Sequence, residues 1–136
     1  MSKLAGAYRA AGDLGQAIPL YEQTYTDTQR VLGADHPQTL SSVSNLAGAY
    51  QAAGDLGRAI PLYEQILADR QRILGADHPD TLTARANMAG SYESAGRTGE
   101  AIDLLEQVLT DRVRVLGAEH PDTAAARSIL ARVTGR

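Results

Sequence analysis

The chain has no cysteine, so neither a disulfide framework nor a thiolate metal site can form. Long apolar runs are also missing, because the apolar residues occur in short amphipathic stretches and no charged segment leads into a signal sequence. Acidic and basic residues are interspersed at a net charge of −3, so no basic stripe faces a phosphate backbone. We therefore expect a soluble, cytoplasmic chain with no nucleic-acid or membrane partner.

What the sequence does contain is a gapless repeat of 42 residues, in which Tyr8, Tyr50 and Tyr92 begin three copies of one pattern. Between residues 8–37 and 50–79, 23 of 30 positions are identical. Such repetition indicates a scaffold, since an enzyme needs unique residues at unique places. At 136 residues the copies are long enough to share one core. The sequence predicts one domain, 1–136, with a partial repeat 1–38, repeats 39–80 and 81–122, and a lone helix 123–136.

The second copy serves to define the helices of the repeat. Apolar residues at intervals of three and four predict an amphipathic helix A over residues 39–50, with an inward stripe of Leu40, Val43, Leu46, Ala47 and Tyr50. Gly54 is suited to the C-cap of this helix, and Asp55 to the N-cap of the next.

Helix B follows directly and runs to a second C-cap glycine, Gly75. Its predicted inward residues are Ala59, Leu62, Tyr63, Ile66, Leu67 and Leu74. Pro61, like Pro19 in the first copy, lies inside helix B and predicts a bend, since an interior proline costs about 3 kcal/mol. Pro79 suits the first turn of the next helix A. The order of helices is then a short A followed by B, A, B, A, B, A, seven in all.

These residues resemble a tetratricopeptide repeat, which carries a Leu-small-x-x-Tyr pattern in helix A and a small-x-x-x-aromatic pattern in helix B. Here they are Leu46-Ala47 with Tyr50, and Ala59 with Tyr63. The period of 42 residues is longer than that of the usual tetratricopeptide repeat, and a Leu-Gly-x-x-His-Pro segment ends at Pro37, Pro79 and Pro121. Both features are similar to those of the kinesin-light-chain-like subfamily. The third copy departs from the pattern at three positions, namely Arg85, Met88 and Leu105.

The resemblance implies an all-α, right-handed solenoid of stacked antiparallel helix pairs that binds a peptide or protein segment in a concave groove lined by helix A. In bacteria such arrays are often appended to signalling ATPases. The helix A positions left free by the apolar stripe are the candidate groove residues Lys3, Gly6, Arg9, Asn45, Gly48, Gln51, Asn87, Gly90 and Glu93.

Two features of this candidate groove suggest how it would work. Related domains use an Asn at the position of Asn45 and Asn87 to hold a peptide backbone, and a carboxamide can both donate and accept a hydrogen bond. The glycines would leave room for ligand side chains. The alternative is that Asn is a tolerated polar residue on a solvated face and that Gly lets helices approach. Chaperone-binding relatives hold a terminal carboxylate with several Lys and Arg, whereas here Lys3, Arg9 and Arg132 accompany the acidic Glu93.

No other group of residues predicts chemistry. His36, His78 and His120 lie one repeat apart, roughly 16–20 Å, too far to share a metal ion. With an acid just before each of them, they are interpreted as loop-packing or helix-capping groups. The chain has no phosphate-binding loop, His-Glu-x-x-His or Gly-x-Ser-x-Gly motif. We expect no catalytic activity, metal or cofactor.

A second hypothesis concerns the ends of the array. Ile129, Leu130 and Val133 place apolar side chains in the last helix, where no helix B follows to cover them. In the first helix B, by contrast, Thr24 and Thr28 replace the Ile66 and Arg70 of the second copy. The alternative function is therefore structural self-assembly, as a weak symmetric dimer through helix 123–134.

Overall fold

The computed structural model describes the backbone of residues 2–135 and the side chains of residues 4–135. Within that part the chain forms seven helices, which hold 83% of the residues, and no strand. The A helices are α1 (Ser2–Ala10), α3 (Pro37–Ala52), α5 (Pro79–Ser94) and α7 (Pro121–Thr134). The B helices are α2 (Leu14–Leu32), α4 (Leu56–Leu74) and α6 (Thr98–Leu116). Both the number and the order of the predicted helices are confirmed.

The chain divides into two compact units, residues 1–66 and residues 67–136, with the boundary inside α4. In the first unit α2 packs against both α1 and α3. The start of α3 meets the end of α2 through Thr39, whose hydroxyl donates to the Gly33 carbonyl at 2.7 Å. The end of α3 meets the middle of α2 through Tyr50, whose hydroxyl donates to Glu22 at 2.9 Å. The two helices are therefore antiparallel.

The core of the first unit consists of fully buried alanines together with larger apolar side chains. All five residues of the predicted helix A stripe are buried, as are Ala59, Tyr63 and Ile66 of helix B. The predicted burial of Leu74 is wrong, because this side chain is 37% exposed. It lies in the last turn of a helix of 19 residues, whereas the A helices α3 and α5 have 16. At 1.5 Å per residue, this B helix is about 4.5 Å longer than either of those two A helices.

In the second unit α6 packs against α5 and α7. The substituted residues Met88 and Leu105 are both buried, so the core accepts them. Arg85 is only half-buried and donates to Asp111 of α6 at 2.6 Å. A second arginine, Arg112, is 6% exposed and donates to the backbone carbonyl of Asp122 at 3.1 Å. Each of these two guanidinium groups therefore has an acceptor, as the cost of burying a charge requires.

The Leu-Gly-x-x-His-Pro segment has a local structural explanation. Gly33 and Gly117 adopt φ near 90° with ψ near 160°, a region in which only glycine is free of strain. The histidine that follows is the N-cap of helix A, and its Nδ1 accepts from the backbone N–H two residues later at 3.0–3.1 Å. Proline then occupies the first helical position, as predicted. The helix-capping interpretation of the three histidines is confirmed.

The surface of the B helices carries three ion pairs between Asp and Arg three residues apart, at Asp27 with Arg30, Asp69 with Arg72 and Asp111 with Arg114, with nitrogen to oxygen distances of 3.9, 3.3 and 3.2 Å. Arg114 also donates to both carboxylate oxygens of Asp77 at 2.7 and 2.9 Å. Those hydrogen bonds hold the pKa of Asp77 below its ordinary value. Every described helix is too short or too polar to span a membrane.

Candidate functional site

The predicted groove residues lie on A helices of both units, and each unit shows a different set of contacts among them. Asn45 on α3 and Asn87 on α5 are exposed, as predicted from the apolar stripe. Neither carboxamide forms a hydrogen bond with another residue that the structure describes. Gly48, Gln51, Gly90 and Glu93 are half-buried on the same two helices. The side chain of Lys3 lies outside the described residues.

In the first unit, the space above Gly48 is filled. The guanidinium of Arg9 on α1 lies over this glycine, and one of its nitrogens donates to the Gly48 carbonyl at 3.5 Å. A Cβ at position 48 would lie 3.2 Å from that guanidinium. The expectation that this glycine leaves room for a ligand side chain is therefore wrong, because its missing side chain admits an arginine of the neighbouring A helix. At Gly6, the other candidate groove glycine of this unit, a Cβ would lie 3.9 Å from the Tyr21 hydroxyl.

Gln51 also has a partner that the repeat pattern did not show. The Tyr63 hydroxyl on α4 donates to its Oε1 at 2.9 Å, which orients the carboxamide. The ordinary pKa of a tyrosine already lies well above neutral pH, and burial raises the pKa of Tyr63 further, so this phenol is protonated and donates. Gln51 is thus a positioned group, whereas Asn45, six residues earlier on the same helix, is not held by another side chain that the structure describes.

In the second unit, Glu93 of α5 holds Arg132 of α7. The guanidinium donates to both carboxylate oxygens at 3.2 Å. This pair neutralises one of the basic residues that would attract a terminal carboxylate. Because Arg9 is placed over a backbone carbonyl and Arg132 is paired, neither unit has a cluster of available positive charge among its described groove candidates. The geometry does not favour the carboxylate-binding mode of chaperone-binding relatives.

The predicted self-association residues lie on α7. Ile129 is 36% exposed, while Leu130 and Val133 are half-buried. Ile129 occupies the same repeat position as Asn45 and Asn87, so α7 has an aliphatic side chain where α3 and α5 have a carboxamide. Among residues 2–135, no group of three or more His, Asp or Glu side chains is placed to bind a metal ion.

Comparison with known proteins decides the family. The model of the family described as "Tetratricopeptide repeat" matches residues 1–68 and 41–112. The chain belongs to the tetratricopeptide-repeat family. None of the curated proteins compared with the chain matches it.

Solved structures place the repeats among those of the kinesin-light-chain-like kind. A candidate kinesin light chain from Podosopora anserina with nearly identical TPR-like repeats is 36% identical, with a TM-score of 0.88 over 97% of this chain and 63% of that one. A substituted variant of that same protein is 35% identical, with a TM-score of 0.87 over 97% of this chain and 62% of that one. BtubC (BKLC) from P. vanneervenii is 20% identical, with a TM-score of 0.86 over 98% of this chain and 54% of that one, and shows the fold alone.

These matches confirm the predicted fold class, the all-α solenoid of stacked helix pairs. The chain spans less than two thirds of the length of the solved proteins that it resembles. The tetratricopeptide-repeat fold supports a scaffold for protein–protein interaction in general.

Proposed function

We propose that the chain binds an extended peptide segment of a partner protein along the exposed faces of its A helices, and that Asn45 and Asn87 hold the peptide backbone. The observation that carries this proposal is the pair of exposed carboxamides at equivalent positions, one on α3 and one on α5. A carboxamide that is not engaged within the protein can pair with a peptide N–H and a peptide C=O together.

The surroundings of these two residues support the same proposal. Hydrogen bonds hold the neighbouring groups in place, between Arg9 and Gly48, Tyr63 and Gln51, and Arg132 and Glu93. A ligand would therefore meet a surface that is already ordered. Binding to an ordered surface avoids part of the entropy cost of association. The exposed carboxamides of Asn45 and Asn87 remain available for a partner.

The test uses peptides selected from a random twelve-residue display library on the wild-type chain, with affinity measured by fluorescence anisotropy. Asn45→Ala combined with Asn87→Ala should abolish binding of the selected peptides. The matched control is Gln23→Ala with Gln65→Ala, which removes two exposed carboxamides one repeat apart from the B helices. Both double variants should melt within about two degrees of wild type, because exposed substitutions rarely change stability by more than about 0.5 kcal/mol. Equal binding by the two variants would exclude the groove.

Self-assembly is the second candidate, favoured by the exposed Ile129 on α7. We propose a weak symmetric dimer in which α7 meets the α7 of a second copy, so that Ile129 and Val133 bury apolar surface. Sedimentation over a concentration series should show the dimer, and Ile129→Asp with Val133→Asp should leave a monomer. A wild-type chain that stays monomeric at high concentration would exclude this candidate and leave peptide binding as the function.

The signalling role implied by the family resemblance is also a proposal. The array would act within a larger cytoplasmic signalling protein, in which peptide binding regulates a neighbouring effector or ATPase domain. The full-length gene product tests this directly, since the absence of any effector domain from it would contradict the proposal.

A further inference from the structure

An open cavity of about 280 Å³ lies in the first unit between α2 and α3. Its lining consists of six polar and uncharged side chains, which are Thr24, Thr28, Gln38, Ser41, Ser42 and Asn45. One of them, Asn45, is also one of the two residues that the proposed function assigns to binding the peptide backbone. The cavity therefore adjoins the proposed groove and differs from it in having no charged group.

The cavity exists because α2 carries smaller side chains here than the equivalent positions of the second copy do. Thr24 stands where the second copy has Ile66, a side chain that is 1% exposed, and Thr28 stands where it has Arg70. The two threonines bond back to their own helix, Thr24 to the Leu20 carbonyl at 2.9 Å and Thr28 to the Thr24 carbonyl. A hydroxyl that donates in this way keeps its oxygen as an acceptor.

The α3 side supplies the remaining hydrogen-bonding groups. The buried Ser42 hydroxyl donates to the Gln38 carbonyl at 2.9 Å and lies 3.3 Å from the Thr28 hydroxyl. The side chains of Gln38, Ser41 and Asn45 form no hydrogen bond with another residue that the structure describes. The cavity thus offers both donors and acceptors that the fold itself does not use.

We propose that this cavity binds the side-chain carboxamide of an Asn or Gln in the partner, and the assignment to a peptide partner rests on the proposed function. A carboxamide matches the lining because it has two N–H donors and a carbonyl acceptor. A carboxylate or ammonium group would lose hydration without gaining a counter-charge, and an aliphatic group would leave the polar lining unpaired; both outcomes cost free energy.

The cavity is tested with small amides, independently of any peptide. The ¹⁵N-labelled full chain is titrated with propionamide and followed by NMR. A separate titration with propionate, a charged compound of equal size, provides the comparison. We expect propionamide to shift the signals of Thr24, Ser42 and Asn45 saturably, with a dissociation constant on the order of millimolar for so few atoms. Propionate should bind about tenfold more weakly, because its charge has no partner in the cavity.

Thr24→Ile fills the cavity with the residue that the second copy carries at this position, so the repeat is expected to fold. It should abolish the propionamide shifts, whereas Thr26→Ile, the same change at an exposed position of α2 outside the cavity, should leave them intact. Ser42→Ala, which the third copy shows to be acceptable as Ala84, should weaken binding without filling the space. Persistent shifts in Thr24→Ile, or equal shifts from both compounds, would overturn the proposal.

The peptide experiment separates this proposal from the groove. Peptides selected on the wild-type chain should carry Asn or Gln at one position, and selection on Thr24→Ile should yield binders without that preference. Asn45 lines the cavity as well as the groove, so the separating variant is Asn87→Ala, which leaves the cavity lining intact. If propionamide binds but Asn87→Ala captures peptides as well as wild type does, the groove proposal fails and the cavity stands. If selected peptides show no such preference on the wild-type chain, the assignment of the cavity to a partner side chain is wrong.

Discussion

Replacing His78 with alanine tests whether the histidine of the Leu-Gly-x-x-His-Pro segment acts as a helix cap. The His78 Nδ1 accepts from the backbone N–H of Asp80 at 3.0 Å, and the residue has the extended backbone that an N-cap requires. Alanine keeps the backbone and removes the acceptor, so this N–H of α5 loses its only protein partner among the described residues. We expect the variant to fold and to be less stable.

The magnitude follows from the exposure of the freed group. N-cap replacement by alanine costs about 0.5–2 kcal/mol, and the lower half applies here because Asp80 is exposed and water can satisfy its N–H. For a chain of this size, a loss of about 0.5–1 kcal/mol lowers the melting temperature by roughly 2–5 °C. Since His78 is half-buried, lost packing in the loop is the competing cause of any destabilisation.

Urea unfolding followed by circular dichroism separates the two causes when His78→Asn is measured beside His78→Ala. Asparagine is a good N-cap but is smaller than histidine, so it restores the hydrogen bond and leaves the lost packing unrepaired. Recovery of most of the stability by His78→Asn supports capping. If asparagine is no better than alanine, the histidine acts by packing, and the capping argument for all three repeats fails.

Three further predictions concern stability. Leu82→Ala removes a fully buried side chain and should cost about 3 kcal/mol in urea unfolding, whereas the exposed Leu32→Ala should cost much less; equal losses would contradict the core assignment. Because Arg114 lowers the pKa of Asp77, this pair stabilises the fold above the ordinary carboxyl value of 3.8 and the contribution is lost as pH falls through the lower folded value. Asp77→Asn should therefore reduce the fall of the melting temperature at acidic pH. A pH dependence of the melting temperature equal to that of wild type would refute this. Arg112→Met should retain more stability than Arg112→Ala in thermal unfolding, since it keeps the aliphatic stem; the reverse order would show that packing of the stem is unimportant.

Much of the fold was predictable because it depends on interactions over a few residues. The apolar stripe of α3, the start of each later A helix at a proline and the capping histidines all follow from spacing within one helix or one turn. The 42-residue repeat then extends each local prediction to the other copies. The exposure of Asn45 and Asn87 was predictable for the same reason, since the face opposite an apolar stripe is defined by helix geometry alone.

Only the tertiary structure decided what the remaining side chains contact. Arg9 covers Gly48 from 39 residues away, and Arg132 pairs with Glu93 across the same separation. Such contacts depend on where two helices cross and on which rotamers reach across, and a repeat pattern specifies neither. The cavity between α2 and α3 has the same origin: Thr24 is visible in the sequence as a departure from the repeat, but whether its smaller side chain leaves space or the helices close upon it is settled by packing. The sequence thus determined the helices, their order and their family, while the packing between helices determined which polar groups remain available to a partner.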